Sequence, residues 1–275
     1  MGRHLLLQLS DLHLVPGAHL RRLVDPLANL DRAIDLITSS ACRPEGILFT
    51  GDLADTGDPV AYRLLRQRID GLTAAIGAAA VFLPGNHDDR TAFRRHLLAT
   101  SIDGGLPDEG PRDGTPRDDA SPGDPIDQIH FFGDLRVISM DTTIPGDDAG
   151  ALSSAQLNWL REELATPAPC GTVLALHHPP ISSPIDSMTR LALRAPERLR
   201  AAIEGTDVCL VVAGHNHHAS TAVLAGVPVW VSPALSYRSD TLMSAEYVPL
   251  VGSAFTRIDV VDGRPLVTVV PVPPA

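Results

Sequence analysis

The sequence predicts an α/β protein with two β-sheets flanked by helices, and three observations carry that expectation. Through the first half of the chain, short apolar runs of strand length alternate with amphipathic segments of helical period, the pattern of βαβ units. Towards the C-terminus the pattern turns to β-branched runs, so a second sheet is expected. Five of the apolar runs end directly on Asp, Asn or His, and in α/β proteins such strand ends converge on one pocket.

The elements follow in order. Leu5 to Leu9 reads as the first strand, because the run passes straight into Asp11 without the small-residue cleavage site of a secretion signal. Leu27, Leu30, Ile34 and Ile37 recur at helical spacing with Asp31 and Asp35 between them, a one-sided helix packed on a sheet. Gly46 to Thr50 and Ala79 to Leu83 are further strands, with a helix over Pro59 to Asp70 between them and another starting near Arg90. From Ser101 to Pro125 the composition shifts to Gly, Pro and Asp, which predicts a long exposed acidic loop inserted at 101–125 into one domain spanning 1–275.

Gln128 to Phe132 and Leu135 to Met140 are two strands joined at Gly133 and Asp134, a hairpin pairing. Ser153 and Gln156 make a capping box ahead of Leu157, Leu160 and Leu164. Thr172 to Leu176 and Val208 to Ala213 are β-branched strands separated by a helical segment around Leu191 to Ile203. Val227 to Val231, Ala254 to Val260 and Leu266 to Val270 complete the β-rich ending, and no internal repeat is present.

Composition excludes several classes. With 44% hydrophobic and 20% charged residues the chain can bury an ordinary globular core. A net charge of −11 argues against a nucleic-acid partner, whose phosphates are met by Lys and Arg. Cys42, Cys170 and Cys209 are odd in number and lack metal-ligand spacing, so neither a disulfide framework nor a zinc knuckle is indicated, and a reducing, cytoplasmic setting is expected. No stretch approaches the ~18 apolar residues of a membrane-spanning helix.

The chemistry lies in LSDLH (Asp11, His13), TGDLAD (Asp52), PGNHDD (Asn86), LALHHPP (His177) and AGHNHH (His215, His217). Carboxylate, amide and imidazole without thiolate suit manganese, iron and zinc. Asp11 and His13 share one face if the strand extension continues, as do His215 and His217, so each pair can grip an ion. Two cations ~3.5–4 Å apart need a shared ligand, and Asp52 is the candidate bridge. Such a pair turns a trapped water into hydroxide near neutral pH, able to attack phosphorus without a serine or cysteine nucleophile. His87 is then expected to protonate the departing alkoxide or to stabilise charge on the equatorial oxygens, with Asp88 or Asp55 orienting imidazoles.

The remaining candidates are weighed singly. His178 is expected to be structural rather than a ligand, as are His4, His19, His96 and His130. His218 either lines the substrate pocket or is simply exposed. Trp159 and Trp230 are expected core anchors, which leaves Tyr237 as the candidate platform for a base in a chain with 4% aromatics. Asp141 ends a strand near the pocket and is expected to satisfy backbone donors.

These blocks resemble those of the calcineurin-like metallophosphoesterases, whose pattern D-x-H, G-D, G-N-H-D/E, H and G-H-x-H is met without a gap. FTGDLADTGDPVAYR, PGNHDDR, DTTIPG and ELATPAPCGTVLALHHPPI are further similar to the class III cyclic-nucleotide phosphodiesterases of actinobacterial type, over roughly residues 5 to 235. The resemblance implies a four-layer αββα sandwich, with Asp11, His13, Asp52 and His217 on one metal and Asp52, Asn86, His177 and His215 on the other. It implies iron and manganese, with zinc or cobalt as alternatives, and substrate contacts from Asn86, His87 and His217. It also implies hydrolysis of 3′,5′-cyclic nucleotides such as cyclic AMP to 5′-monophosphates and, for many members, a homodimer. The rival expectations are a glycerophosphodiester or phospholipid head-group phosphodiesterase and, from another class, a non-catalytic metal-binding scaffold.

Overall fold

The computed structural model describes residues 2–17, 19–21, 23–98, 123–242 and 245–274. The acidic loop expected over 101–125 therefore lies outside the described residues except for its last three. One sheet is built from β1 (Arg3–Leu9), β2 (Gly46–Thr50), β3 (Ala79–Leu83), β12 (Ser253–Val261) and β13 (Arg264–Val272), in the order β13-β12-β1-β2-β3. The other has β4 (Gln128–Phe132), β5 (Leu135–Ser139), β6 (Thr172–Ala175), β7 (Val208–Ala213), β9 (Val227–Val231) and β8 (Ser220–Leu224), in the order β4-β5-β6-β7-β9-β8. A two-stranded ribbon pairs β10 (Arg238–Ser239) with β11 (Pro249–Leu250).

Strand alternation sorts the apolar side chains into layers. Leu7 and Leu9 of β1 and Ile47 and Phe49 of β2 pack with Leu30, Ile37, Leu65, Ile69 and Leu72 of the helices α1 (Pro26–Ser39) and α2 (Pro59–Ile76). Their neighbours Leu6 and Leu48 face the other way, onto Val137, Val173 and Val212 of the second sheet. Leu174 and Val211, one residue out of phase, meet Leu157, Leu160 and Leu199 of α4 (Ser154–Leu164) and α6 (Pro196–Ile203). The result is an αββα sandwich. Full burial of each such Leu, Ile or Val contributes about 1.5–3 kcal/mol. A buried amide stitches the two sheets near one pole, where Gln8 Nε2 donates to Thr50 Oγ1 at 3.0 Å and to the Ala213 carbonyl at 2.9 Å.

Local chemistry explains the helix ends. Asp25 and Asp58 cap α1 and α2 ahead of a proline at the first turn, and Gly77 closes α2 in the left-handed region at φ 73°. The helix expected to stop at Asp70 thus runs on to Ile76. The Ser153/Gln156 capping box forms in both directions.

Two expectations are corrected. The helix expected around Leu191 to Ile203 is realised only as α6, from Pro196, because Ala195 adopts φ 51° and Pro196 bars helical backbone in the residue before it; a separate short helix, α5 (Asp186–Arg190), precedes the segment. Strand β8 was not expected; it leads into β9 through a tight turn at Ala225 and Gly226, both at positive φ. The short helix α3 (Arg90–Phe93) runs into a wider π-type turn over Arg94–Leu98. Among the described residues, no helix is long and apolar enough to cross a membrane.

Candidate metal centre

The C-terminal ends of β1, β2, β3, β6 and β7 meet at one pole, and their loops are laced together by backbone. Asp11 N donates to the Gly51 carbonyl at 3.1 Å, His13 N to the Asp52 carbonyl at 2.8 Å and Gly214 N to the His177 carbonyl at 3.0 Å. His215 N donates to the Asp11 carboxylate at 2.9 Å. Two glycines make the packing feasible. A Cβ on Gly85 would overlap Asp52 Oδ1 and its backbone nitrogen, and one on Gly51 would overlap the His177 ring.

These loops bring Asp11, His13, Asp52, Asn86, His177, His215 and His217 together. Asp52 Oδ2 lies 3.5 Å from His13 Nε2 and 3.3 Å from His177 Nε2, between the two halves of the cluster. On one side His217 Nε2 is 3.1 Å from His13 Nε2 and 3.5 Å from Asp11 Oδ1. On the other, Asn86 Oδ1 is 3.2 Å from His177 Nε2, and His215 Nε2 is buried with no hydrogen-bond partner.

The expectation that Asp11/His13 and His215/His217 continue extended strands is corrected. β1 stops at Leu9, and Asp11, His13, Asp52, His215 and His217 have φ of 53°, 46°, 52°, 70° and 57°. Each is a left-handed residue that costs about 1–3 kcal/mol and persists only because the surrounding fold dictates it. Side-chain convergence here comes from strained loops, not from strand alternation.

Three of the imidazoles are fixed from behind. Nδ1 of His13 donates to Asp55 Oδ1 at 3.0 Å, that of His177 to the Thr50 carbonyl at 2.9 Å and that of His217 to the Tyr237 carbonyl at 2.9 Å. With Nδ1 carrying the proton, each Nε2 presents its lone pair to the cluster, as a metal ligand requires. His178 is different. Its Nδ1 is 2.7 Å from Thr142 Oγ1 and its Nε2 is 3.2 Å from the Asp148 carbonyl, so both nitrogens have partners outside the seven, although one lies within 4.8 Å of ligand atoms of His177 and His215.

Burial and mutual charge set the protonation of the metal-free residues. Burial pushes Asp11 up to about 6 against the pull of His177. Burial alone would also raise Asp52, yet the facing His177 and His13 hold it well below the usual carboxylate range. Burial, with His177 nearby, pushes His215 down to about 3, and burial beside His13 keeps His217 low. Burial opposes a proton on His177 and His13, yet Asp52 raises His177 to about 9 and Asp55 with Asp52 raises His13; two imidazoles that draw in protons beside buried carboxylates, with an orphaned His215 Nε2, are groups a cation pair would satisfy.

Further predicted residues fall as follows. His87 is 36% exposed, its backbone N–H donates to Asp52 Oδ1 at 2.9 Å, and Nδ1 donates to the Asp55 carbonyl at 2.7 Å. Asp88 is corrected: its carboxylate holds no imidazole. It accepts from the backbone N–H groups of Leu53, Ala54 and Gly85 and from the Tyr62 hydroxyl. His218 is also corrected, because it is buried, bonds Ser239 Oγ through Nδ1 at 2.8 Å and is absent from the cleft wall. Asp141 takes the Thr143 and Ile126 N–H groups and pairs with Arg90 at 2.7 Å.

A cleft of about 210 Å³ opens over the cluster, lined by His13, Asp52, Asn86, His87, His215, His217 and Tyr237. Tyr237 is only 2% exposed and its ring lies 4.5 Å from that of His217, so it forms floor rather than a projecting platform. Arg21, Asp148, Met188 and Tyr247 also line the cleft and were not singled out from sequence. Arg21, Asp148 and Tyr247 come from loops and Met188 from α5, and the local pattern of each carries no ligand signal.

A paired cluster of His and Asp at the loops of an αββα sandwich defines the metallophosphoesterase fold. The calcineurin-like phosphoesterase family model matches residues 4–219. The chain belongs to that family. A cAMP/cGMP dual specificity phosphodiesterase of Mycobacterium tuberculosis is 41% identical over 245 residues, covering 88% of this chain and 70% of the relative. A probable cyclic nucleotide phosphodiesterase of Rhodococcus erythropolis is 40% identical over 238 residues, covering 86% and 73%. Among solved structures, a dimetal phosphatase from Danio rerio shares the fold at a TM-score of 0.58 and 12% identity, covering 96% of this chain and 98% of the other.

Proposed function

We propose that the protein hydrolyses 3′,5′-cyclic nucleotides, cyclic AMP among them, to 5′-monophosphates at a two-cation centre. The observation that carries this is the placement of Asp52 Oδ2 between His13 Nε2 and His177 Nε2 beneath the cleft. The relatives at 41% and 40% identity, both named as cyclic-nucleotide enzymes, support the substrate class. Asp11, His13, Asp52 and His217 would hold one ion and Asp52, Asn86, His177 and His215 the other. The oxygen and nitrogen donors favour iron and manganese over softer ions. When bound, such ions supply Lewis-acid charge for water activation and for the developing phosphorane charge.

The chain's own groups do the rest. A water oxygen gives up a proton to solvent and forms a bond to phosphorus while the P–O3′ bond breaks, and the leaving alkoxide needs a proton. His87 provides it: with Nδ1 tied to the Asp55 carbonyl, Nε2 is the ring atom left to pass a proton to O3′. The Asn86 carboxamide can donate its N–H to a phosphate oxygen while its Oδ1 stays at His177. Arg21, whose guanidinium lies 5.6 Å from the Tyr237 ring centroid, adds positive charge at the cleft wall.

A substrate panel with elemental analysis tests the reading. Turnover of cyclic AMP or cyclic GMP should exceed that of glycerophosphoesters, with about two transition-metal ions per chain. Equal or faster glycerophosphoester turnover would move the assignment to that rival class. No hydrolysis of bis(p-nitrophenyl) phosphate above background with Mn²⁺ present would leave a scaffold.

A further inference from the structure

A second group of ligand-type side chains gathers at the opposite pole of the sandwich. His4 lies at the start of β1, Glu45 directly precedes β2, Asp134 sits in the turn before β5 and Cys170 lies two residues before β6. For β1, β2 and β6 these are the N-terminal ends of strands whose C-terminal ends carry the metal centre described above. One ligand atom from each of His4, Asp134 and Cys170 lies within 4.8 Å of the other two. His4 Nε2 is 2.6 Å from Asp134 Oδ1, and His4 Nδ1 is 3.0 Å from Glu45 Oε2.

Gly2 marks the point on which these groups converge. A Cβ there would stand 2.9 Å from Cys170 Sγ and 3.1 and 3.2 Å from the two Asp134 carboxylate oxygens. Thiol and carboxylate thus face a common space that glycine leaves empty. His4 and Cys170 are 6% and 3% exposed, while the Asp134 side chain is 47% exposed and gives solvent access from one side.

We propose that His4, Asp134 and Cys170 form a further cation site, for Zn²⁺ or a similar borderline divalent ion, with Glu45 orienting His4. Sulfur, imidazole nitrogen and carboxylate oxygen are the three protein ligand types of zinc, and three of them leave a fourth position open on the Asp134 side. A carboxylate on the far nitrogen of a ligating histidine is the usual orienting arrangement, and Glu45 supplies it. Binding breaks the Cys170 S–H bond, forms an S–metal bond and releases the proton to solvent. The spacing of cysteines along the chain hides such a site because each ligand comes from a different strand. If no ion binds, the same residues are a histidine bridged by two carboxylates beside a buried thiol that donates to the Gly2 carbonyl at 3.9 Å.

Cobalt distinguishes the two, because the catalytic-pole cluster contains no cysteine. Titrating the full-length protein, its catalytic pole first loaded with Mn²⁺, with Co²⁺ in a phosphine reductant should raise the near-ultraviolet thiolate-to-cobalt charge-transfer band to the amplitude of one thiolate-bound ion per chain. Zn²⁺ in excess over all three sites should erase it. The band should persist in Asp52→Asn, Cys42→Ser and Cys209→Ser and vanish in Cys170→Ser. Glu45→Gln should weaken the affinity roughly ten- to hundredfold while keeping the band. A wild-type protein without the band, or a band that survives in Cys170→Ser, overturns the site, and the wild-type result needs no variant to fold.

Discussion

The Asp88 carboxylate allows the sharpest test of how the metal-centre loops are held. Its Oδ1 accepts from Ala54 N at 3.0 Å and Tyr62 Oη at 2.9 Å, Oδ2 accepts from Gly85 N at 2.9 Å, and both lie near Leu53 N. One half-buried group therefore ties the loop bearing Asp52 to the loop bearing Asn86. Hydrogen bonds to a charged acceptor are worth about 1.5–3 kcal/mol each, but burial also penalises the charge and raises the Asp88 pKa. In Asp88→Ala three backbone N–H groups lose their acceptor at about 1–3 kcal/mol apiece, with entering water making good part of the loss, so a net cost of about 4–6 kcal/mol follows. Asp88→Asn keeps one oxygen but turns an NH2 towards the remaining donors, and should cost about 2–3 kcal/mol. For a chain of this size that predicts a fall in Tm of roughly 10–20 °C for alanine and 5–10 °C for asparagine. Metal affinity should drop with it, by about ten- to hundredfold. Thermal unfolding by circular dichroism, with metal content measured in parallel, decides the matter. Melting and metal affinity both unchanged in Asp88→Ala would refute the clamp.

Other outcomes follow from the same geometry. His87→Ala should lower turnover by about 10²–10⁴-fold with metal content still near two, since the ring is not in the ligand set; loss of the metals would contradict its role. Gly85→Ala should abolish metal binding, because the added methyl occupies the place of Asp52 Oδ1; an intact, fully loaded variant would show that the loop yields. His130 gives a pH signature away from the centre. Burial lowers it to about 4 in the folded chain, below the ordinary value of 6.5. Its contribution is present above pH 6.5 and lost as pH falls towards 4, on the order of 2–3 kcal/mol. Denaturant unfolding from pH 7 to 4 should therefore be less steeply pH-dependent in His130→Leu than in wild type, and identical slopes would remove His130 from the account.

The strands of the βαβ half were legible because buried strands are near-continuous apolar runs, and Gly46 to Thr50 and Ala79 to Leu83 coincide with the observed elements. The hairpin at Gly133 and the Ser153 cap were visible for the same local reason, a turn or cap residue at a fixed offset. β8 was not, since Ser220–Leu224 is a half-exposed edge strand whose pairing depends on β9. At the site, the seven clustered residues stood out by type and by their place after apolar runs. Their backbone did not, because nothing local makes Asp11 or His13 left-handed; contacts with Gly51, Asp52 and His215 impose it. Asp88 was assigned to an imidazole because a carboxylate beside ligands suggests one, whereas the backbone donors it serves carry no residue identity. The cleft residues Arg21, Met188 and Tyr247 are joined only by the tertiary structure.

The five left-handed residues have an evolutionary corollary. Glycine at any of positions 11, 13, 52, 215 or 217 would relax the main chain, yet each such exchange deletes a donor from the cluster. Selection for robustness alone would erode this pole, so mutational drift towards a sturdier molecule and retention of reactivity pull in opposite directions here. A library sorted only for heat resistance should accumulate replacements at these positions, and one sorted for turnover should refuse them.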